Sequence, residues 1–116
     1  MRFKVEETKD YITLYDNDKE IHYRNLKSDY SSERTYHDNG ELKTYKNSNG
    51  LEITYYDNGN IKTYKNSDGL ESTYDINGYI LTRIKNGVMV IDKRPKKVTI
   101  ELTQEQLDKI KEHGLL

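Results

Sequence analysis

The sequence predicts a mostly β protein: an antiparallel β-meander of 19-residue two-strand repeats with one short C-terminal α-helix. Three observations carry that prediction. Six of the seven glycines stand at 40, 50, 59, 69, 78 and 87, in steps of 10, 9, 10, 9 and 9, and each follows Asn or Asp. Glycine takes positive φ without a Cβ penalty, and Asn or Asp tolerates the left-handed region, so these dipeptides read as turns. Turns at that spacing leave strands of five or six residues between them, the mark of successive hairpins. Second, residues recur at 19: Thr35 with Thr54 and Thr73, Leu42 with Ile61 and Ile80, Tyr45 with Tyr64 and then Arg83. Third, eleven tyrosines keep register with the turns, while Leu, Ile, Val and Phe together number only 25 of 116 residues. Tyrosine offers a large ring with a polar tip, which suits a half-wet sheet.

The elements follow in order within one domain, 1–116. In the irregular N-terminal part, 1–34, FKVEE, YITLY and IHYRN read as strands, with Asp16–Lys19 a turn and residues 25–32 a loop. The repeat meander covers 35–92 and brings the total to about ten strands. Its last hairpin, Arg83 to Ile91, turns on Asn86-Gly87. Residues 93–116 hold a basic linker (Lys93-Arg94-Pro95-Lys96-Lys97), a last strand Val98–Leu102, and the helix. Thr103-Gln104-Glu105-Gln106 has the T-x-x-Q form of a capping box, so the helix runs Gln104 to Glu112 and stops at Gly114. Leu107 and Ile110, with Leu102 and Leu115 at the ends, are expected to dock it on the sheet.

Hydrophobic patterning sets the expected register. A four-residue loop at 47–50 pairs Lys46 with Leu51 and Thr44 with Ile53. A three-residue loop at 57–59, with Gly59 left-handed in a bulge, pairs Tyr55 with Ile61 and Ile53 with Thr63. One face then carries Leu42, Leu51, Ile53, Tyr55, Ile61, Leu70, Tyr74, Ile80 and Ile84. The other carries Lys43, Tyr45, Glu52, Thr54, Tyr56, Lys62, Tyr64, Glu71, Thr73 and Arg83, a stripe of aromatic, acid and base.

Chemistry is sparse. Without cysteine there is neither a disulfide framework nor a thiolate site, and His22, His37 and His113 lack metal-ligand spacing. Asp16-Asn17-Asp18 lacks the glycine and the final acid of a calcium loop. No phosphate loop, nucleophile elbow or enclosed carboxylate pair appears, so no enzyme, cofactor or metal is expected. The first twenty residues lack an apolar run and no segment suits a bilayer, pointing to a cytoplasmic chain without membrane contact. The balance of 19 basic against 20 acidic residues gives no global pull toward nucleic acid.

TYYDNGNIKTYKNSDGLESTYDINGYI resembles the bacterial MORN-type, antitoxin-like β-hairpin repeats over roughly residues 35–88. The chain departs from them in lacking the Lys-Asn-Gly-Lys segment between hairpins. The resemblance implies antiparallel hairpins and binding to proteins or membranes. Tyr45, Glu52, Tyr56, Tyr64, Glu71 and Arg83 are the expected partner-binding residues, because Tyr and Arg dominate interface energetics. The reading is a stoichiometric protein binder: an antitoxin or immunity protein, or a phage anti-defence protein of anti-CRISPR type, acting on a bacterial protein such as a nuclease or toxin. Single-stranded nucleic-acid binding is the alternative, opposed by Glu52 and Glu71 in the stripe, and a structural or surface-attached repeat protein is another. Homodimerisation is left open.

Overall fold

A computed structural model of the chain describes residues 2–95 and 101–114. Ten strands follow one another: β1 (Phe3–Glu7), β2 (Tyr11–Asp16), β3 (Lys19–Asn25), β4 (Ser31–Tyr36), β5 (Leu42–Asn47), β6 (Glu52–Tyr55), β7 (Ile61–Lys65), β8 (Leu70–Tyr74), β9 (Ile80–Lys85) and β10 (Val88–Asp92). They form one antiparallel sheet whose spatial order is the chain order, so the meander is as expected. After it comes α1 (Gln104–Glu112), capped by Thr103, with the capping box to Gln106 present on both sides. Of the expected strand Val98–Leu102, residues 98–100 lie outside the described residues, as does Leu115, and 101–102 carry no regular structure.

The turn glycines do what the spacing requires. Gly40, Gly59 and Gly78 have φ of 90°, 92° and 93°. At 57–59 the loop holds three residues, with the Tyr56 N–H donating to the Asn60 carbonyl and Tyr55 opposite Ile61. The loop at 47–50 departs from expectation. It also holds three residues, 48–50, because Asn47 turns inward: its N–H donates to the Leu51 carbonyl, and its Oδ1 accepts from the N–H groups of Asn49 and Leu51. Asn66 closes the next such turn in the same way. Tyr45 therefore pairs with Ile53, and Lys46 with Glu52.

A second departure lies inside the strands. Thr54 pairs with Thr63 while Tyr55 pairs with Ile61, leaving Lys62 as an extra, bulged residue, so Ile53 faces Tyr64 rather than Thr63. Lys43 and Leu81 are extra in the same sense. The bulge explains the ten-residue glycine steps: 40 to 50 and 59 to 69 each span a bulged strand, whereas 50 to 59 and 69 to 78 do not, and 78 to 87 spans the bulged β9 in nine because its turn, Asn86-Gly87, is one residue shorter.

These shifts redistribute the faces. Side chains directly opposite in an antiparallel pair point the same way. Arg34, Tyr45, Ile53, Tyr64, Ser72 and Arg83 therefore form one row across β4–β9. Thr35, Thr44, Thr54, Thr63, Thr73 and Thr82 form the adjacent row on the opposite face. The threonines bond across alternate strand pairs, with Oγ1 atoms 2.6, 2.6 and 2.7 Å apart. On the same face Lys46 meets Glu52 at 3.5 Å and Lys65 meets Glu71 at 3.7 Å. Ile84, opposite Glu71, also lies there and not with the other aliphatics.

The sheet is a single layer. The chain's extents are 79 × 36 × 17 Å, and among the described residues no hydrophobic side chain is buried. The buried side chains among the described residues are Thr13, Ser32, Ser72 and Thr82, each at most 7 % exposed, so what the sheet hides between tall neighbours is small hydroxyls. Nor does α1 cover it: among the described residues the helix contacts no strand. Leu107 and Ile110, three apart, give a seam one side chain wide, too little area to offset the entropy of fixing the helix on the sheet. With no core, cross-strand pairs carry much of the stability. Thr54→Val is expected to cost about 1 kcal/mol by leaving Thr63 without its partner, while Thr54→Val with Thr63→Val recovers most of it. Chemical denaturation of the four proteins of the double-mutant cycle measures this, and strictly additive losses refute the rung.

Candidate functional site: the tyrosine face

The face that carries Tyr45 and Tyr64 also gathers most of the chain's aromatic surface. Tyr11 on β2 stacks on Tyr23 of β3 with ring centroids 5.9 Å apart, and Tyr23 lies 6.1 Å from Tyr30. Tyr30 and Tyr45 join hydroxyl to hydroxyl at 2.9 Å. The Arg34 guanidinium covers the Tyr45 ring at 4.8 Å and pairs with Glu20 of β3. Beyond Ile53 the row runs on through Tyr64 to Ser72 and Arg83, whose Nε donates to the Ser72 Oγ at 3.3 Å. Tyr36, Tyr55 and Tyr74 stand opposite Leu42, Ile61 and Ile80 at the bulged ends of the strands.

Hydrogen bonding orders the phenols. The Tyr11 hydroxyl donates to Glu6 at 2.9 Å, and that bond, followed by the carboxylate's charge, raises the Tyr11 pKa. Tyr45 is lowered, chiefly by its bonds to Tyr30 and Asn47, and Tyr30 is raised, chiefly by its bond to Tyr45. For Tyr11 the sign is that of a raised group: its contribution is complete below the ordinary value of 10.0 and is lost as pH climbs through the higher folded value. Glu6→Gln is expected to bring the Tyr11 titration down, followed by ring-carbon NMR against pH. An unmoved Tyr11 curve contradicts the assignment.

The six expected partner-binding residues do not share one surface. Tyr45, Tyr64 and Arg83 lie in the tyrosine row. Glu52, Tyr56 and Glu71 stand on the threonine face, where Glu52 and Glu71 pair with lysines and Tyr56 lies under Lys62 at 5.6 Å. The proposed stripe of aromatic, acid and base is therefore split, because each of the two corrections shifts the β5 and β7 pairing by one residue and a one-residue slip reverses a strand's faces. The structure adds Arg34, Glu20, Tyr11, Tyr23, Tyr30 and Ile53 to the tyrosine side. Arg34 was within reach of the repeat: it precedes Thr35 as Ile53 precedes Thr54 and Ser72 precedes Thr73.

The threonine face carries a shallow hollow of about 450 Å³, floored by Thr54, Thr63, Thr73 and Thr82 and edged by Glu52, Lys65 and Glu71. Its acids are already matched by lysines. Among the described residues no group of three or more His, Asp or Glu side chains is gathered as a metal site, and no helix is long and apolar enough to cross a membrane. No protein-family model matches the chain, and neither do curated protein sequences or solved structures.

Proposed function

We propose that this chain is a non-catalytic binding protein that acts by stoichiometric contact with another protein, and that the tyrosine face makes the contact. The observation that supports it most is a face of tyrosine and aliphatic side chains with arginines among them that no helix or second layer covers among the described residues. Large half-exposed aromatic and apolar patches of this kind mark interaction surfaces, and Tyr and Arg supply most of the energy in them. The resemblance to antitoxin-like MORN-type repeats agrees with a neutralising or inhibitory role: antitoxin, immunity or phage anti-defence.

Single-stranded nucleic acid is the second reading, and one observation favours it. Glu52 and Glu71 stand on the opposite face, so they do not repel phosphate from the tyrosines. Against it, several rings of this face already have one side covered: Tyr11 and Tyr23 by each other, Tyr45 by Arg34, Tyr36 by Lys19 at 4.9 Å. Affinity capture from a bacterial lysate with immobilised protein, washed across a salt series, tests both. A protein held at fixed stoichiometry, with shallow salt dependence, and lost from a Tyr64→Ala matrix supports the first. Retention of nucleic acid with a steep salt dependence supports the second. Identical capture by wild type and Tyr64→Ala removes the tyrosine face from the function.

A further inference from the structure

We propose that a second copy of this chain covers the tyrosine face when no other partner does, the two sheets packing face to face about a two-fold axis through Ile53. This goes beyond the partner reading and stands without it. The row Arg34–Tyr45–Ile53–Tyr64–Ser72–Arg83 is self-complementary about its third member. An axis in the interface plane, parallel to β6, lays β5 over the second copy's β7, so Tyr45 meets Tyr64 in both directions and Ile53 meets itself. One strand further out, the large Arg34 meets the small Ser72.

Charge follows the same symmetry. Glu33, Glu52 and Glu71 point to the threonine face, in the row of Lys46 and Lys65. Glu20, which Arg34 reaches, and Glu6, which takes the Tyr11 hydroxyl on the outer strand β1, are acids on the tyrosine side, and of the two Glu20 lies within three strands of β6. Arg83 bonds the Ser72 hydroxyl, and among the described residues it has no carboxylate within 4.0 Å. Glu20 on β3 and Arg83 on β9 lie three strands to either side of β6, so one axis brings each Arg83 toward the other copy's Glu20.

The area suffices. Six strands about 4.8 Å apart and five residues of about 3.4 Å give a plan of roughly 500 Å² per copy before side-chain relief is counted, approaching the ~800 Å² per partner of a standard interface. The sheet's edges are poorer places to associate. β1 carries Lys4, Glu6 and Glu7, and β10 is interrupted by a bulge at Val90, both devices that discourage strand addition. A two-fold face contact is also closed, so it ends at a dimer rather than a fibre.

The chain has no cysteine, which makes the test direct. Sedimentation equilibrium of the wild type is expected to give twice the 13.7 kDa chain mass. Mild oxidation of Ile53→Cys is expected to yield a covalent dimer that reductant dissolves, while Thr54→Cys, one residue along and on the opposite face, does not cross-link. Arg83→Glu is expected to weaken self-association tenfold or more with an unchanged circular dichroism spectrum. A wild type that is monomeric at every concentration overturns the proposal. So does a dimer in which Thr54→Cys cross-links as readily as Ile53→Cys. Because purified chain alone is measured, failure here leaves the partner reading intact, and a dimer without a captured partner separates the two the other way.

Discussion

Gly50→Val is expected to be strongly damaging, lowering stability by about 3 kcal/mol or more and exceeding Gly59→Val. Both glycines sit near φ +90°, at 89° and 92°, where a β-branched residue is strained by about 1–3 kcal/mol. Their surroundings differ. A Cβ on Gly50 meets the Ser67 Cβ at 2.9 Å and its Cα at 3.4 Å, so the neighbouring turn's backbone has to move. A Cβ on Gly59 meets only the Glu41 carboxylate at 3.8 Å. Backbone strain is common to both positions, whereas the clash belongs to Gly50. Gly50→Ala keeps the clash and the positive φ and drops only the β-branch, so it is expected to lose less than Gly50→Val. Thermal and urea melts of Gly50→Ala, Gly50→Val and Gly59→Val rank them. A Gly59→Val protein as stable as its parent would falsify the left-handed turn, and equal losses at both positions dispose of the turn-on-turn contact.

That contact also indicates what holds a layer without a core. Successive turns on the same edge of the sheet are two strands apart and bond directly to one another. The Asn39 amide donates to the Asp57 carbonyl at 2.7 Å, and the Asn58 amide to the Ile76 carbonyl at 2.8 Å. The Tyr56 hydroxyl spans the same interval to the Tyr74 carbonyl at 2.8 Å. Residue i thus reaches residue i+18, and the 19-residue repeat is as much a device for stacking turns as for pairing strands. Stability is then distributed along the array, as in other repeat architectures, with each unit resting on its neighbours.

The elements were legible because turns are written locally. Asn-Gly and Asp-Gly fix where the chain reverses, Asn17 and Asp18 take positive φ of 49° and 67° at the β2–β3 turn, and Thr103 with Gln106 opens the helix where expected. Register was not legible, because a few backbone groups decide it. Whether Asn47 lies inside or outside the loop depends on where its Oδ1 finds N–H donors, and the ten-residue glycine step left by the bulge at Lys62 reads equally well as a longer turn. Grouping aliphatics by pattern presumes that one face is buried and dry. Here neither face is, so Tyr45 and Tyr64 join Ile53 at little cost in desolvation, their hydroxyls reaching water or each other. The site suffered most: three of six expected residues fell on the far side of a sheet one layer thick.

The same split yields the sharpest functional expectation. Tyr45→Ala, Tyr64→Ala and Arg83→Ala should each weaken binding to the captured partner by about 1–3 kcal/mol, tenfold or more, because they share one row on one face. Glu52→Lys and Glu71→Lys should leave the affinity within about twofold, since those carboxylates face the opposite side and meet Lys46 and Lys65. Ile53 sits at the centre of the row, so Ile53→Ala should lower both affinity and melting temperature. Ile84→Ala, on the threonine face, should lower the melting temperature alone. Calorimetric titration of this panel, each protein first checked by thermal melt, distinguishes the faces. If the glutamate reversals abolish binding while Tyr45→Ala and Tyr64→Ala do not, the partner sits on the threonine face, over the hydroxyl row and its flanking ion pairs. If all the substitutions act in proportion to their loss of stability, the tyrosines serve the sheet and not a partner.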